Sequence, residues 1–202
     1  MSSKAKLKFL AVFLTVIYFL FEHVFTASIE SLGSYALYGI ELLWVAVIFF
    51  TLKGFNFFPS KMNFRWLIAV LVAGLMGAWV QLFAAQSSIV IPFDFSSQET
   101  LLLLLLVGPL LEEIVFRYGL FRLLDELIPK KWIVILVSAL FFSFAHFQAI
   151  VFMPPEMHVF IYYQAFYTLI LGLMCGFVRG SYGMVPAILT HILFNFGFWL
   201  AR

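Results

Sequence analysis

The chain alternates long apolar runs with short polar breaks. Seven apolar segments stand out, at about residues 8–27, 33–52, 64–86, 99–124, 132–151, 158–178 and 182–200. Each is close to the roughly 20 residues that an α-helix needs to cross a hydrocarbon core about 30 Å thick. The breaks hold Pro59, Pro92, Pro129 and the pair Pro154-Pro155, residues that a helix interior tolerates poorly. Lipid offers no partner to an unpaired backbone group, so the runs are predicted to be helices. The pattern predicts an all-α fold: a polytopic transmembrane helix bundle of about seven spans. Residues 1–202 read as a single membrane-embedded domain, without an internal repeat or a soluble domain.

Composition strengthens this reading. The chain is 64% hydrophobic and 11% charged, against about 25% charged in soluble domains. The first run follows Lys4, Lys6 and Lys8 and extends to Phe21. A signal peptide has a shorter apolar core of about 7–15 residues, so an uncleaved first helix is expected. The single cysteine, Cys175, excludes an intramolecular disulfide. The lipid bilayer is an expected partner and nucleic acid is not; the sequence leaves the oligomeric state open.

The distribution of charge adds an orientation. Lys4, Lys6 and Lys8 precede the first span; Lys53, Lys61 and Arg65 lie between the second and third. Arg122, Lys130 and Lys131 lie between the fourth and fifth, and Arg179 between the sixth and seventh. The remaining connectors carry Glu30, Asp94, Glu99 and Glu156 and no Lys or Arg. Cytoplasmic loops concentrate basic residues, so the N-terminus is expected in the cytoplasm and Arg202 outside. The alternation fits an odd number of spans.

A few ionisable groups remain inside the apolar runs. Glu112, Glu113 and Arg117 lie on the fourth predicted span, His146 on the fifth and His191 on the seventh, with Asn195 one turn further on. A charge at the centre of a membrane helix costs about 2.5–3.5 kcal/mol on insertion scales. Such groups persist where they face a protein interior or a wet cavity. Counted from the basic residues at 1.5 Å per residue, Glu112 lies about 15 Å up, His191 about 18 Å and His146 about 22 Å. Three helices thus bring a carboxylate and two imidazoles to a similar depth. Glu113 and Arg117 are spaced i, i+4 and are expected to pair on one face. Glu112 is turned about 100° away, toward a cavity. Pro109 is expected to free a carbonyl and permit a kink, and Gly108 and Gly119 to allow close helix approach.

Glu112-Glu113-x-x-x-Arg117, Phe142-x-x-x-His146 and His191-x-x-x-Asn195 resemble, in order and on separate helices, the three motifs of the CAAX-protease and bacteriocin-processing (CPBP, or Abi) intramembrane proteases. The motif core covers about residues 99–200. Two features depart from the family pattern: Tyr118 stands between Arg117 and Gly119, and the chain stops after its seventh span.

The resemblance implies a membrane endopeptidase in which Glu112 and His146 activate a water while His191 and Asn195 stabilise the oxyanion. Glu113, Arg117 and Phe142 then support the site. No cofactor is required on this reading. Zinc held by Glu112, His146 and His191 is the alternative, since these are ligand types of catalytic zinc, although no His-Glu-x-x-His motif is present. The substrate is expected to be a peptide or membrane protein in a prokaryotic plasma membrane, in bacteriocin or peptide processing or self-immunity. A non-catalytic immunity factor or sensor partner on the same fold is the competing class, and a small transporter a third. Cys175 is expected to be a packing residue. Ser138 and Ser143 have no sequence-level case as nucleophiles, and Ser143 is expected to bond a helical carbonyl. His23 and His158 are expected to be solvated near the outer boundary, and Glu41 has no sequence-evident partner.

Overall fold

The computed structural model describes residue 15 and residues 34–52, 64–151 and 153–202; for 34–38, 41, 48, 51 and 52 it describes the backbone alone. Apart from residue 15, the first predicted span lies outside the described residues, as do His23, Lys53, Lys61 and the side chain of Glu41. The described chain is all helical. It comprises α1 (Ser34–Leu52), α2 (Trp66–Gln86), a composite α3 (98–127), α4 (Lys131–Phe147), α5 (His158–Tyr182) and α6 (Met184–Leu200). Three helical stretches, Trp66–Gln86, Lys131–Val151 and Pro155–Tyr182, are long and apolar enough to cross a membrane. The protein is an integral membrane protein.

Helix α2 shows how such a bundle sorts its faces. It is apolar all round, so hydrophobicity cannot decide which side faces in. Size decides instead. Ala73, Gly77, Val80 and Ala84 are buried, while Leu71, Leu75, Trp79 and Leu82 point outward. Small residues let backbones approach, which is how membrane helices gain packing contacts in the absence of a hydrophobic drive. The partner is α6: a Cβ added at Gly77 would overlap the Phe194 carbonyl, and one at Gly197 would overlap the Gly74 carbonyl. Gly77→Leu is therefore expected to cost at least the 1–3 kcal/mol typical of overpacking. Thermal unfolding in detergent checks this; an unchanged midpoint would contradict the close α2–α6 contact.

Helices α5 and α6 form an antiparallel hairpin joined by one residue, Gly183, at φ 100°. This left-handed backbone suits a residue without Cβ. The hairpin puts His191 opposite α3. Helices α4 and α5 pack closely where Gly172 faces Ala139 and Gly176 faces Ile135. Ser143 Oγ donates to Ala165 O across the same contact at 2.6 Å.

Helix α3 is the irregular member. Leu103–Val107 and Ile114–Leu120 are wound as π-helix on either side of Gly108–Glu113. Its described length, 98–127, exceeds the predicted 99–124 at both ends. Gly108 does not serve approach by another helix. A Cβ there would meet the carbonyl of Leu103, one π-turn back at 2.8 Å. Gly119 does admit a neighbour, the ring of Trp44 on α1.

The two ends of the bundle differ. Lys131 lies against Gly180, Arg179 lies over Phe121, and Arg65 and Tyr182 line one groove. These contacts gather Arg65, Lys131 and Arg179 at one end. At the other, the 87–97 connector folds beside the end of α6, where Arg202 donates to Phe95 O at 2.9 Å. In that connector Ser96 donates its hydroxyl (2.6 Å) and its N–H (2.9 Å) to Asp94 Oδ1, holding the carboxyl below its ordinary range.

Candidate active site

The unusual winding of α3 arranges the site. In the first π segment the Gly108 N–H reaches back five residues to Leu103 O. The next bond in that register would run from residue 109 to Leu104 O, but Pro109 has no N–H. Asn195 Nδ2 on α6 donates to Leu104 O instead, at 2.7 Å. The proline thus frees a carbonyl as its position predicts, and the freed group docks α6 beside Glu112. In the second π segment Phe116 O receives the Ser138 hydroxyl of α4 at 3.1 Å. Ser138 thus pins α4 to α3. Single π turns recur at functional sites because they re-aim side chains.

Glu113 and Arg117 are fully buried, with Glu113 Oε2 3.4 Å from Arg117 Nε. Arg117 Nη2 donates to Gly172 O of α5 at 3.2 Å, and its guanidinium lies 4.3 Å from the Phe142 ring centre on α4. Its own carbonyl accepts from Arg179 Nε at 3.3 Å. This arginine fastens α3 to both neighbours. Phe142 also sets its edge contacts to both imidazoles, with ring centres 4.7 Å from His146 and 5.6 Å from His191.

Glu113 does more than hold the arginine. Its Oε1 lies 2.9 Å from His191 Nδ1, a contact the i, i+4 argument did not reach. On α4, His146 Nδ1 lies 2.9 Å from Phe142 O. A carbonyl only accepts, so His146 Nδ1 carries a proton, which in the neutral imidazole leaves the lone pair on Nε2. The Glu113 carboxylate assigns the same tautomer to His191. Both Nε2 atoms then face Glu112 Oε2, at 3.8 Å from His146 and 3.7 Å from His191.

Those separations are too long for direct hydrogen bonds and suit a bridging species. Glu112 Oε2 thus faces both imidazole nitrogens across gaps that a donating or cationic species fills. A water's two hydrogens serve two of the three atoms, Glu112 Oε2 and His146 Nε2, and a contact to His191 needs a proton on its own Nε2.

The Glu112 side chain is 30% exposed, His146 19% and His191 3%. They line one cavity of about 360 Å³ with Asn195, Tyr167 and Phe198. Phe93 also lines it from the connector before α3 and packs on Phe160 at 5.7 Å. Sequence reasoning did not find Phe93 or Tyr167, because one aromatic among 27 phenylalanines and eight tyrosines carries no signal.

Cys175 is buried, as expected of a packing residue, but its sulfur lies within 4.8 Å of the ligand atoms of Glu113 and His191. The thiol faces Ala187 O at 3.8 Å, and His191 Nδ1 is already taken up by Glu113. The groups best disposed toward the cavity are the two bare Nε2 atoms and Glu112.

Comparison with known proteins gives one family. The model of the Rce1-like type II CAAX prenyl endopeptidases matches residues 97–197, half of the chain. No curated protein and no solved structure matches.

Proposed function

The chain belongs to the Rce1-like type II CAAX prenyl endopeptidase family of membrane proteases, and on that premise we propose that it hydrolyses a peptide or membrane-protein substrate with a water held by Glu112, His146 and His191. The observation that carries this reading is that Glu112 Oε2 faces both imidazole nitrogens in one cavity. Glu112 takes a proton from the water as its oxygen attacks the scissile carbonyl. His146 accepts the water's other hydrogen and orients it. The carbonyl oxygen becomes an oxyanion beside Asn195, whose second amide hydrogen is free of Leu104. His191 joins as oxyanion donor only when both ring nitrogens carry protons. The carbon–nitrogen bond then breaks, and the proton on Glu112 passes to the leaving amine. Glu113 is a positioning residue that fixes the orientation of His191.

Asn195→Ala is expected to lower kcat by about 10²-fold, the low end for loss of one oxyanion donor. It also leaves Leu104 O without its side-chain partner. Asn195→Asp keeps the size but offers no amide hydrogen, and is expected to lose kcat as well. Kinetics of the two variants check the role; wild-type kcat in both would remove Asn195 from the reaction.

Zinc is the second reading; Glu112, His146 and His191 are suitable ligand types, but they are not gathered within 4.8 Å of one another as Glu113, Cys175 and His191 are. Glu112 and the two Nε2 atoms would hold the ion, and the other ring nitrogens donate to a carboxylate and a carbonyl, as in metal-binding histidines. Bound zinc supplies an acidified water and a Lewis acid. Metal-free catalysis is preferred because a ligated Glu112 would leave no free carboxylate: Glu113 faces His191 and Arg117 with its two oxygens. Stoichiometric zinc that restores activity after chelation would reverse this preference.

The wider proposal is a seven-span protein of a prokaryotic plasma membrane with a cytoplasmic N-terminus, acting in peptide or bacteriocin processing or self-immunity. Comparative peptidomics of cells carrying wild-type or Glu112→Ala protein tests it. Peptide termini present with wild type and lost in the variant are expected. An unchanged peptidome with the cellular phenotype retained would favour a non-catalytic membrane partner.

A further inference from the structure

We infer that the cavity is fed from the extracytoplasmic face, so that its substrate is a segment already exported, or anchored with its cleavable stretch on that side. Every helical residue lining the cavity lies in one half of the bundle. On α3 the lining runs from Thr100 to Glu112, on α5 from Gln164 to Leu171 and on α6 from His191 to Phe198, while α4 contributes only its terminal His146. These stretches share the end formed by residue 98, the close of α4, the start of α5 and the close of α6. Phe93, from the connector at the same end, completes the wall. Glu112 and His191 therefore mark its limit at mid-depth, and the lining extends from them away from the end that carries Lys131 and Arg179.

Charge fixes which side that is. Among the described residues, Arg65, Arg122, Lys130, Lys131 and Arg179 lie at or near the helix ends remote from the cavity, against Arg202 alone at the cavity end. Asp94, Glu99 and Glu156 share the cavity end. Basic residues close to membrane helix ends stay in the cytoplasm. The cavity end is then extracytoplasmic.

The lining adds the chemistry of the visitor. Among the described residues no Lys or Arg lines the cavity, so a free C-terminal carboxylate finds no cationic partner there. Phe93, Leu103, Leu104, Tyr167, Phe194 and Phe198 favour an apolar stretch bound within the chain. The side of access stands on packing and charge alone; that the visitor is a polypeptide to be cleaved rests on the reading above.

Cysteine accessibility tests this directly. The parent chain has one cysteine, buried Cys175, and serves as the unlabelled control. Ser96→Cys, Thr100→Cys and Lys130→Cys are expressed separately in the full chain, each checked for monodispersity in detergent. Intact and permeabilised cells are treated with a membrane-impermeant sulfonated maleimide. Ser96→Cys and Thr100→Cys are expected to react in intact cells to the same extent as after permeabilisation, and Lys130→Cys only after it. Thr100→Cys that reacts only after permeabilisation, or stays unlabelled while Ser96→Cys reacts from outside, overturns the inference. Labelling is read without substrate, so loss of the catalytic reading would leave its outcome unaffected.

Discussion

Glu112→Gln is expected to leave the bundle folded and to lower kcat for peptide hydrolysis by about 10²–10⁴-fold, the usual worth of a positioned general base. The change is nearly isosteric. Glu112 is part-exposed to the cavity and its nearest ionic neighbours are 3.7 and 3.8 Å away, so a neutral amide there can keep its hydration. The loss should fall on kcat with KM little changed, because the carboxylate acts on the water rather than on the substrate. His146→Ala should show a smaller loss of the same kind. Combining the two should cost little more than Glu112→Gln alone, since groups that act as a unit are far from additive. Wild-type turnover by Glu112→Gln would sink the assignment.

Arg117→Met is expected to be the most destabilising single change at the site. It strands the Glu113 carboxylate, which is fully buried, and breaking a buried pair by removing one partner costs about 3–5 kcal/mol. It also removes the bond to Gly172 O and the guanidinium face on Phe142. For a chain of this size each kcal/mol moves the unfolding midpoint by about 2–4 °C. Arg117→Met with Glu113→Gln removes both charges together and should recover much of that loss. Activity should not recover with it, because Glu113 also holds His191 Nδ1. Thermal unfolding in detergent and single-turnover kinetics on the same preparations separate the two effects. A double variant as unstable as Arg117→Met would show that the ion pair is not what holds these helices.

Much of this arrangement is legible in the sequence, for a definite reason. An ionisable residue is so costly in hydrocarbon that its depth alone points inward, and counting from Arg122, Lys131 and Arg179 brought Glu112, His146 and His191 to one level. The i, i+4 spacing likewise gave the Glu113–Arg117 pair and put His191 and Asn195 on one face. Pro109 announced a freed carbonyl but not its acceptor role toward Asn195. The π segments around Gly108–Glu113 left no pattern, because they change the winding of an apolar run without changing its composition. They also underwind α3, so a uniform 100° per residue does not describe it, and Glu113 reaches both Arg117 and His191. Facing within α2 was hidden for a related reason: apart from buried Gln81, its two sides differ mainly in size. The nearness of Cys175 to Glu113 and His191 is hidden because the antiparallel return at Gly183 is invisible in a count along the chain.

An experimental structure of the protein fine enough to show ordered solvent tests the central claim most directly. A solvent oxygen about 2.6–3.2 Å from Glu112 Oε2 and from both Nε2 atoms is the expected result. Glu112 in direct contact with either imidazole, with no solvent between them, would contradict it; so would a single strong feature at the roughly 2.0–2.2 Å of a zinc ligand bond.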